Sequence, residues 1–331
     1  MYYANKINVI KKIFNTDDVK LSDQDITVNG KTYSIINDVI ILDQPEKYSK
    51  FVRGKIGFKN PLERQDKNFA KDIQYTFGSE WTEYSEILSE HKKEFEQYFD
   101  LVGTDSLNDK TVCDLGCGNG RWSYFLRNRC KNIILIDFSD AIFVARSNLA
   151  DVDNALFFMC DIKSLPFKDN FADFLYCIGV LHHLPTNCLH EIIKLRRFAS
   201  DFLIYLYYAL DNRPFYFRFF LKIITVIRLV LSKIKNKGFR RCFSFFGAIF
   251  IYIPLIYFGK FMNLFKLGKF VPLYESYNDK SVNRIEQDVY DRFFTRIEQR
   301  VSRKEIMQLK ENFKELIISE NEPYWHFICK K

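Results

Sequence analysis

A glycine-rich segment, "TVCDLGCGNGRW", follows a short apolar stretch of the 331-residue sequence and contains three glycines at alternate positions, Gly116, Gly118 and Gly120. Glycine weakens strands and helices alike, so such a cluster is expected where backbone must come close to a bound molecule. Asp114 precedes the loop. Asp137 ends the next apolar stretch, where a mononucleotide-binding half places a carboxylate on ribose hydroxyls. The pattern predicts a nucleotide-like ligand; the alternative is a tight turn whose glycines only permit close packing.

The spacing of these glycines separates two kinds of nucleotide site. A loop that binds pyrophosphate has the spacing G-x-G-x-x-G and presents a helix N-terminus to the phosphates. Here the spacing is G-x-G-x-G, and the Asp114 carboxylate would repel a pyrophosphate but suits a cationic ligand. A nicotinamide-dependent dehydrogenase stays open as an alternative, which preferential binding of the nicotinamide cofactor would favour.

Short apolar segments alternate with helical ones from residue 111 onward, and these elements must position the loop and the acidic residues. The predicted strands are 111–115, 132–137, 155–159, 173–178 and 202–207, with helices at 121–129 and 139–150. This alternation predicts an α/β fold with a doubly wound parallel sheet, in which ligands bind beyond the carboxyl ends of the strands. Two further strands, 313–319 and 325–330, are separated by a short link and predict an antiparallel hairpin.

Four motifs resemble, in order and spacing, those of S-adenosylmethionine-dependent methyltransferases of the Rossmann-like class. "VCDLGCGNG" resembles the first motif, "ILIDFSDAIFVAR" the second, and "FMCDIKSLPFKDNFADFLYCIGVLHHLP" the third and fourth, over about residues 75–207. The resemblance implies a seven-stranded, mostly parallel sheet with an antiparallel C-terminal strand. It also implies S-adenosylmethionine as cofactor, bound beside Asp114 and the three glycines. In the family pattern, Asp137 binds the ribose and Asp161 accepts from the adenine amino group. The Cys177 carbonyl would lie near the methionine amine.

Methyl transfer to a hydroxyl needs a base, because the pKa of a hydroxyl lies far above neutrality. His182 and His183 are predicted at the carboxyl end of the fourth strand, where a base could reach the methyl group, and imidazole titrates near neutrality. Both are therefore candidate catalytic residues. The alternative for each is a histidine that caps the following helix or packs in the core.

Candidate acceptor contacts come from outside the four motifs. Phe77, Trp81 and Tyr84 are aromatic residues that could close over the cofactor and acceptor, or simply pack an N-terminal helix against the sheet. Arg296 lies in "YDRFFTRIEQRVSRKEI", a segment similar to those of methyltransferases that act on small molecules or glycans. These four residues are the candidate substrate contacts.

The flanking regions predict a domain organisation. The Asn29-Gly30 dipeptide is a strong hairpin signal, and it lies in a unit similar to the zinc-ribbon-like modules of some methyltransferases, but without their cysteines. No metal is therefore predicted. The predicted regions are a small β-rich unit (1–50), helices covering the cofactor site (51–110, with one amphipathic helix at 80–100), the methyltransferase domain (111–211 and 276–331) and a helical insertion (212–275).

The insertion has an unusual charge pattern. Residues 212–274 contain twelve basic residues and no acidic one, whereas the whole chain has 49 basic and 41 acidic residues. The rest of the chain therefore carries a net charge of −4. Wound as a helix, the first half places Arg218 and Lys222 on one side and Phe219 and Ile223 on the other.

The second half of the insertion, residues 242–258, runs for 17 residues without a charge and includes Pro254. That length is short for a membrane span, and the proline would kink the helix. Three alternatives stay open: a helix pair lying on an anionic membrane surface, a soluble lid over the acceptor pocket, and a transmembrane span. Nucleic acid is disfavoured as a partner, because the apolar content is too high for a phosphate-facing surface.

These observations together predict a cytoplasmic enzyme, and the first of the three alternatives for the insertion would place it peripherally at the inner face of a membrane. The sequence has no C-x-x-C pair among its eight cysteines and no signal-peptide pattern at its first residues. The predicted reaction is methyl transfer to a small-molecule, glycan or lipid-linked acceptor, as an O-methyltransferase. The alternative from another functional class is a non-catalytic cofactor-binding scaffold that regulates or anchors a partner. The presence of Asp114, Asp137 and Asp161 together argues against such a degenerate site.

Overall fold

The computed structural model describes residues 1–57 and 71–331. Its strands are β1 (Val19–Leu21), β2 (Asp25–Val28), β3 (Lys31–Ile36), β4 (Val39–Ile41), β5 (Thr111–Leu115), β6 (Asn132–Asp137), β7 (Ala155–Met159), β8 (Phe174–Ile178), β9 (Asp201–Tyr205), β10 (Glu315–Ile318) and β11 (His326–Lys330). Its helices are α1 (Ile7–Phe14), α2 (Lys50–Ile56), α3 (Lys71–Glu83), α4 (His91–Tyr98), α5 (Arg121–Leu126), α6 (Ala141–Asn148), α7 (Cys188–Leu195), α8 (Phe215–Leu231), α9 (Lys237–Gly247), α10 (Ile253–Asn263), α11 (Tyr274–Tyr277), α12 (Val282–Phe294) and α13 (Arg303–Met307).

The described strands form one eleven-stranded sheet in the order β1-β2-β3-β4-β7-β6-β5-β8-β9-β11-β10. The strands β7, β6, β5, β8 and β9 run parallel. The strand β11 is antiparallel to both of its neighbours, β9 and β10. These seven strands confirm the predicted mostly parallel sheet with an antiparallel C-terminal strand.

Both faces of this central sheet are covered by other parts of the chain, as the burial of its strands shows. All five residues of β5 are buried, as are all five of β7. Cys113 and Leu115 pack into one hydrophobic cluster, whereas Val112 packs into the cluster on the opposite face. Continuous apolar strands of this kind are typical of a doubly wound sheet, and their alternation fixes which residue faces which layer.

The N-terminal β strands extend the sheet. Asn29 and Gly30 have φ angles of 50° and 72° and form the tight turn between β2 and β3, as the hairpin signal predicts. The strand β4 then pairs in parallel with β7, with Ile40 opposite Phe158. The sheet thus has four strands more than the seven that the resemblance implies. The proposed domain boundaries stay a prediction.

The single helix predicted over 80–100 is wrong: α3 ends at Glu83 and α4 begins at His91. The amide of Leu88 donates to His91 Nδ1 at 3.0 Å instead of to a helical carbonyl. The carbonyl of Ser85 accepts from the side-chain Nδ2 of Asn148 at 2.8 Å, which ties this link to α6. A local side-chain hydrogen bond and a long-range one therefore override the helical pattern. The remaining helical prediction falls partly on residues 58–70, outside the described residues.

The insertion forms three helical segments that pack on α12. One π-helical turn, Ala248–Tyr252, joins α9 to α10 just before Pro254, which cannot donate a backbone hydrogen bond. Ala248 and Tyr252 pack into a hydrophobic cluster with Val289 and Phe293 of α12. The helical run Lys237–Asn263 has a mean hydropathy of 1.9 over its most apolar window and is long enough to cross a membrane by length and composition.

Candidate active site

The glycine loop begins at the end of β5, where the order of the parallel strands reverses direction. Gly116 and Gly118 have φ angles of 79° and 55°, which residues with a Cβ rarely adopt. A Cβ on Gly116 would lie 2.5 Å from Val180 Cγ2, and one on Gly118 would lie 2.9 Å from Trp81 Nε1. The glycines therefore serve both the conformation of the loop and the close approach of these two side chains.

Asp137 ends β6 beside this loop and fixes its position. One carboxylate oxygen accepts from the amide of Gly118 at 3.0 Å. The other accepts from the amide and the hydroxyl of Ser139, at 2.8 and 2.7 Å. Burial raises the pKa of Asp137, while these hydrogen bonds act in the opposite direction. The residue lines the cavity described below, where the resemblance assigns it to the ribose.

Asp161 follows β7 and is held by a lysine from the N-terminal region. Its Oδ2 accepts from Lys47 Nζ at 2.8 Å, and its Oδ1 accepts from the amide of Lys163. Its own amide donates to Asp43 Oδ1, and burial raises the pKa of Asp43 to about 7. Asp161 also lines the cavity, so the structure brings it together with Asp137 and the glycine loop.

Three of the residues assigned to the cofactor by resemblance do not line the cavity: Asp114, Gly120 and Cys177. A Cβ on Gly120 would instead lie 2.8 Å from Leu149 Cδ1. Ser123 Oγ donates to Asp114 Oδ2 at 2.6 Å and lies 2.7 Å from the Tyr176 hydroxyl, beneath the loop. Burial raises the pKa of Asp114 to about 7. Cys177 is fully buried in the hydrophobic core, and the cavity wall begins one residue later, at Ile178. The resemblance assigns the backbone carbonyl of Cys177 and not its side chain, so that assignment stays a prediction.

One cavity of about 1040 Å³ lies over the carboxyl ends of the strands. Its floor is the glycine loop with Asp137 and Asp161, and Gly179 at the end of β8 completes it. Gly179 has a φ of 78°, and a Cβ there would meet no atom within 4 Å. Sequence reasoning missed Gly179, although a glycine at a strand end next to the fourth motif is a usable signal.

The two histidines differ in position. His183 lines the cavity, and its Nδ1 lies 2.7 Å from the carbonyl of Ile297. Because a carbonyl only accepts, Nδ1 carries the proton and Nε2 is left able to accept one. His182 is fully buried and does not line the cavity, and its two ring nitrogens have no hydrogen-bond partner among the described residues. Its ring stacks on Tyr207 at 4.0 Å, and burial lowers its pKa well below the usual value.

Phe77 and Trp81 of α3 line the cavity, whereas Tyr84 does not. The Phe77 ring lies 5.1 Å from that of His183. Tyr84 instead packs on Tyr290 and donates to Glu286 Oε1 at 3.2 Å. Two of the three aromatic candidates are thus placed for acceptor or cofactor contact, and the third fastens the link after α3 to α12.

Arg296 also lies away from the cavity. It is exposed and pairs with Asp72 at 3.3 Å, because it comes after the end of α12. Residues of α12 itself line the cavity, among them Asp291 and Arg292. Asp291 accepts from the Tyr207 hydroxyl at 2.5 Å, and Arg292 donates to the Tyr277 hydroxyl at 3.2 Å. Both residues belong to the C-terminal segment that the sequence singled out for Arg296, but only the packing of α12 against α3 reveals which of its residues reach the site.

The insertion supplies the roof of the cavity. Apolar side chains of its helices face inward: Phe217, Leu221, Ile224, Phe243 and Leu255. Lys269 and Val271 continue the wall beyond α10. The cavity is therefore polar at the glycine loop and mainly apolar beneath the insertion.

These residues fit S-adenosylmethionine. The positive φ angles of the loop and the open space above Gly179 let backbone approach a ligand, and Asp137 and Asp161 supply acceptors at two points of the floor. When bound, this cofactor supplies an electrophilic methyl group on a sulfonium centre. The cavity volume reaches the upper end of the range for small-molecule sites, which leaves room for an acceptor as well.

Comparison with known proteins agrees with this geometry. The model of a methyltransferase domain family matches residues 112–197. A curated relative, tRNA (carboxymethyluridine(34)-5-O)-methyltransferase alkbh8 of Xenopus tropicalis, is 33% identical over 104 residues. The matched stretch covers 29% of this chain and 15% of that relative. The chain thus spans only a small part of the relative's length.

Solved structures overlap with the chain in part. The protein mmp1179 of Methanococcus maripaludis is 17% identical, with a TM-score of 0.41, and the match covers 77% of this chain and 94% of that one. A SAM-dependent methyltransferase from Aquifex aeolicus is 19% identical, with a TM-score of 0.33, and the match covers 38% and 71%. The matched domain, the strand order and the cavity over the glycine loop are together sufficient for an assignment. The chain contains a methyltransferase domain of the Rossmann-like, S-adenosylmethionine-dependent class.

Proposed function

We propose that the protein transfers a methyl group from S-adenosylmethionine to a hydroxyl of a small-molecule, glycan or lipid-linked acceptor. The observation that carries this proposal is that one cavity joins the glycine loop to the apolar roof of the insertion. A donor held on the floor and an acceptor held under the roof would share one enclosed space. Alignment of the two and exclusion of water are the main needs of such a transfer.

His183 is the base in this proposal. Its neutral ring carries the proton on Nδ1, bonded to the Ile297 carbonyl, so Nε2 takes the hydroxyl proton. The contact with Phe77 and the adjoining ring of His182 fix the orientation of the imidazole. His182 stays neutral in the core because burial opposes its charge. The two candidates of the sequence thus become one base and one packing residue.

The acceptor carries an apolar group in this proposal. The roof offers aromatic and aliphatic side chains of α8, α9 and α10, for which an apolar chain is the complementary surface. Polar groups of the same cavity, such as Tyr207 and Arg292, would meet the hydroxylated end. An amphiphilic acceptor satisfies both parts of the cavity.

The insertion supports an association with an anionic membrane surface, which we include in the proposal. The outer side of α8 exposes Phe219, Val226 and Val230, and α10 is followed by Leu264, which is 77% exposed. Seven exposed basic residues of the insertion form no ion pair with the described residues: Arg218, Lys222, Lys233, Lys237, Lys260, Lys266 and Lys269. Exposed apolar groups flanked by free cations suit the interface of an anionic bilayer. The protein would lie at the cytoplasmic face.

The test is incubation of purified protein with labelled methyl donor and cell extract separated into lipid, polar and RNA fractions. We expect label in the lipid or polar fraction and its loss with His183→Ala. Label in RNA would replace this acceptor class with the one named in the relative from Xenopus tropicalis. Donor binding without transfer in any fraction would favour a cofactor-binding scaffold.

A further inference from the structure

Two oppositely charged side chains next to the glycine loop have atoms without partners. Glu80 of α3 is 2% exposed, and its Oε2 accepts no hydrogen bond from the described residues. Arg121 begins α5 directly after the loop, and its Nη1 is buried and likewise unpartnered there. Both residues line the cavity. Buried charged groups without partners are costly, so their presence calls for a reason.

The surroundings hold these two groups in place without neutralising them. The Arg121 guanidinium carbon lies 4.8 Å from the ring centre of Trp81 and 4.4 Å from that of Trp122. Glu80 Oε1 receives only a long hydrogen bond, 3.4 Å, from Gln287. The ion pairs among the described residues include neither side chain, although Arg121 is near enough to lower the pKa of Glu80. One buried acceptor and one buried donor therefore flank the same part of the cavity.

We propose that Glu80 and Arg121 bind the amino-acid end of S-adenosylmethionine, with Glu80 accepting from its ammonium group and Arg121 donating to its carboxylate. The assignment rests on the proposed function, since it presumes that this donor binds. A zwitterion is complementary to a separated acid and base, and each contact would be a charge-assisted hydrogen bond. Asp114, which the resemblance places at the loop, is instead engaged by Ser123.

A proton should be released on binding. Burial raises the pKa of Glu80 well above its usual value, and the nearby carboxylates Asp291 and Asp288 raise it further. Arg121 and the hydrogen bond from Gln287 lower this pKa, but do not offset the burial. A bound ammonium favours the ionised carboxylate and lowers this pKa again. Affinity for the amino-acid end therefore rises with pH through the raised pKa of the free protein, and falls below it.

The experiment compares two ligands by calorimetry: S-adenosylhomocysteine, and methylthioadenosine, which lacks the amino-acid end. We expect Glu80→Gln and Arg121→Met each to weaken S-adenosylhomocysteine about tenfold or more, since each removes a charged hydrogen-bond partner. Affinity for methylthioadenosine should stay within about twofold. Matched controls are Glu315→Gln and Arg197→Met, which break exposed ion pairs outside the cavity lining. Repeating the titration in buffers of different ionisation enthalpy should show proton release in wild type and none in Glu80→Gln.

The outcomes are separable. Equal weakening of both ligands would make the two residues structural and overturn the proposal, as would unchanged affinity for S-adenosylhomocysteine. Thermal denaturation of each variant identifies a loss of fold. A wild-type protein that binds neither ligand would overturn the proposed function, and this assignment with it.

Discussion

The floor and the roof of the cavity are specified by the sequence in different ways. The floor consists of strand ends and short loops, in which Gly116, Gly118 and Asp137 lie within 22 residues of one another. The roof consists of α8 to α10, whose inward residues are spread over the insertion and depend on packing against α12. Local spacing therefore predicts the floor, and only tertiary structure reveals the roof.

The same difference appears in the charges. On the floor, Asp137 and Asp161 are both held by specific donors. In the insertion, the basic residues of α8 divide: Arg228 is buried and pairs with Glu298, whereas Lys222 is exposed. The predicted apolar side of α8, with Phe219 and Ile223, is exposed. A lid and an interfacial surface are thus two sides of the same helices.

The largest effect should come from the base on the floor side. His183→Ala should lower turnover by about 10²–10⁴-fold, with S-adenosylmethionine affinity unchanged, because it removes the proton acceptor. The matched control is His182→Phe, which keeps a buried ring where the nitrogens have no partner among the described residues. Steady-state kinetics with the identified acceptor, beside cofactor titration, measure both. Equal losses in the two variants would assign the effect to packing of the ring pair.

Much of the floor was predictable because neighbouring residues in the sequence build it. The strands β5, β6 and β7 have the predicted bounds. Asp137 and Asp161 were predicted for the site and line the cavity. Each of these features depends on local spacing or on adjacent strands, to which sequence patterns respond.

The remaining site residues could not be predicted because distant packing places them. Glu80 of α3 and Arg121 of α5 line the same cavity, although they are far apart in the sequence. Tyr84 and Arg296 looked equivalent to cavity residues in the sequence, yet each lies just past a helix end, at Glu83 and at Phe294. A shift of a few residues along a helix turns a side chain to another face.

The next largest effect concerns the loop. Gly118→Val should weaken the binding of S-adenosylmethionine about 100-fold or more. The substitution adds backbone strain of order 1–3 kcal/mol and drives the valine side chain into Trp81. Gly30→Val is the matched control: it has a similar positive φ, but a Cβ there meets nothing within 4 Å. Calorimetry on both, with thermal denaturation, separates strain from loss of the site. Normal binding by Gly118→Val would leave the glycines a packing role only.

A smaller effect should follow from removing the acceptor on the floor. Asp137→Ala should weaken S-adenosylmethionine about tenfold or more, since a charged hydrogen-bond partner contributes about 1.5–3 kcal/mol. Part of this loss of affinity comes from the glycine loop, because the Gly118 amide also loses the Asp137 oxygen to which it donates at 3.0 Å. Asp153→Ala, an exposed carboxylate, is the control. Equal affinity of Asp137→Ala and wild type in calorimetry would remove Asp137 from the site.

The smallest effect per substitution concerns the outer, solvent-exposed side of the insertion. If the insertion lies on an anionic membrane, Lys222→Gln and Lys233→Gln should each weaken vesicle binding roughly fivefold, because one charge near such a surface contributes about 1 kcal/mol. Lys131→Gln and Lys314→Gln should change nothing, because these exposed lysines precede the amino ends of β6 and β10 and lie outside the insertion. Sedimentation with vesicles containing anionic lipid gives the measurement.

A salt series separates the three models of the insertion. The electrostatic part of vesicle binding should fade as the Debye length falls to about 3 Å at 1 M salt. The exposed apolar residues, Phe246 and Phe250 among them, should leave a salt-resistant remainder. A soluble lid would bind no vesicles at any salt concentration, whereas a span would resist alkaline carbonate extraction. The interfacial model requires partial loss with salt and full release by carbonate, because helices that pack on α12 and roof the cavity can reach a bilayer only with their outer side.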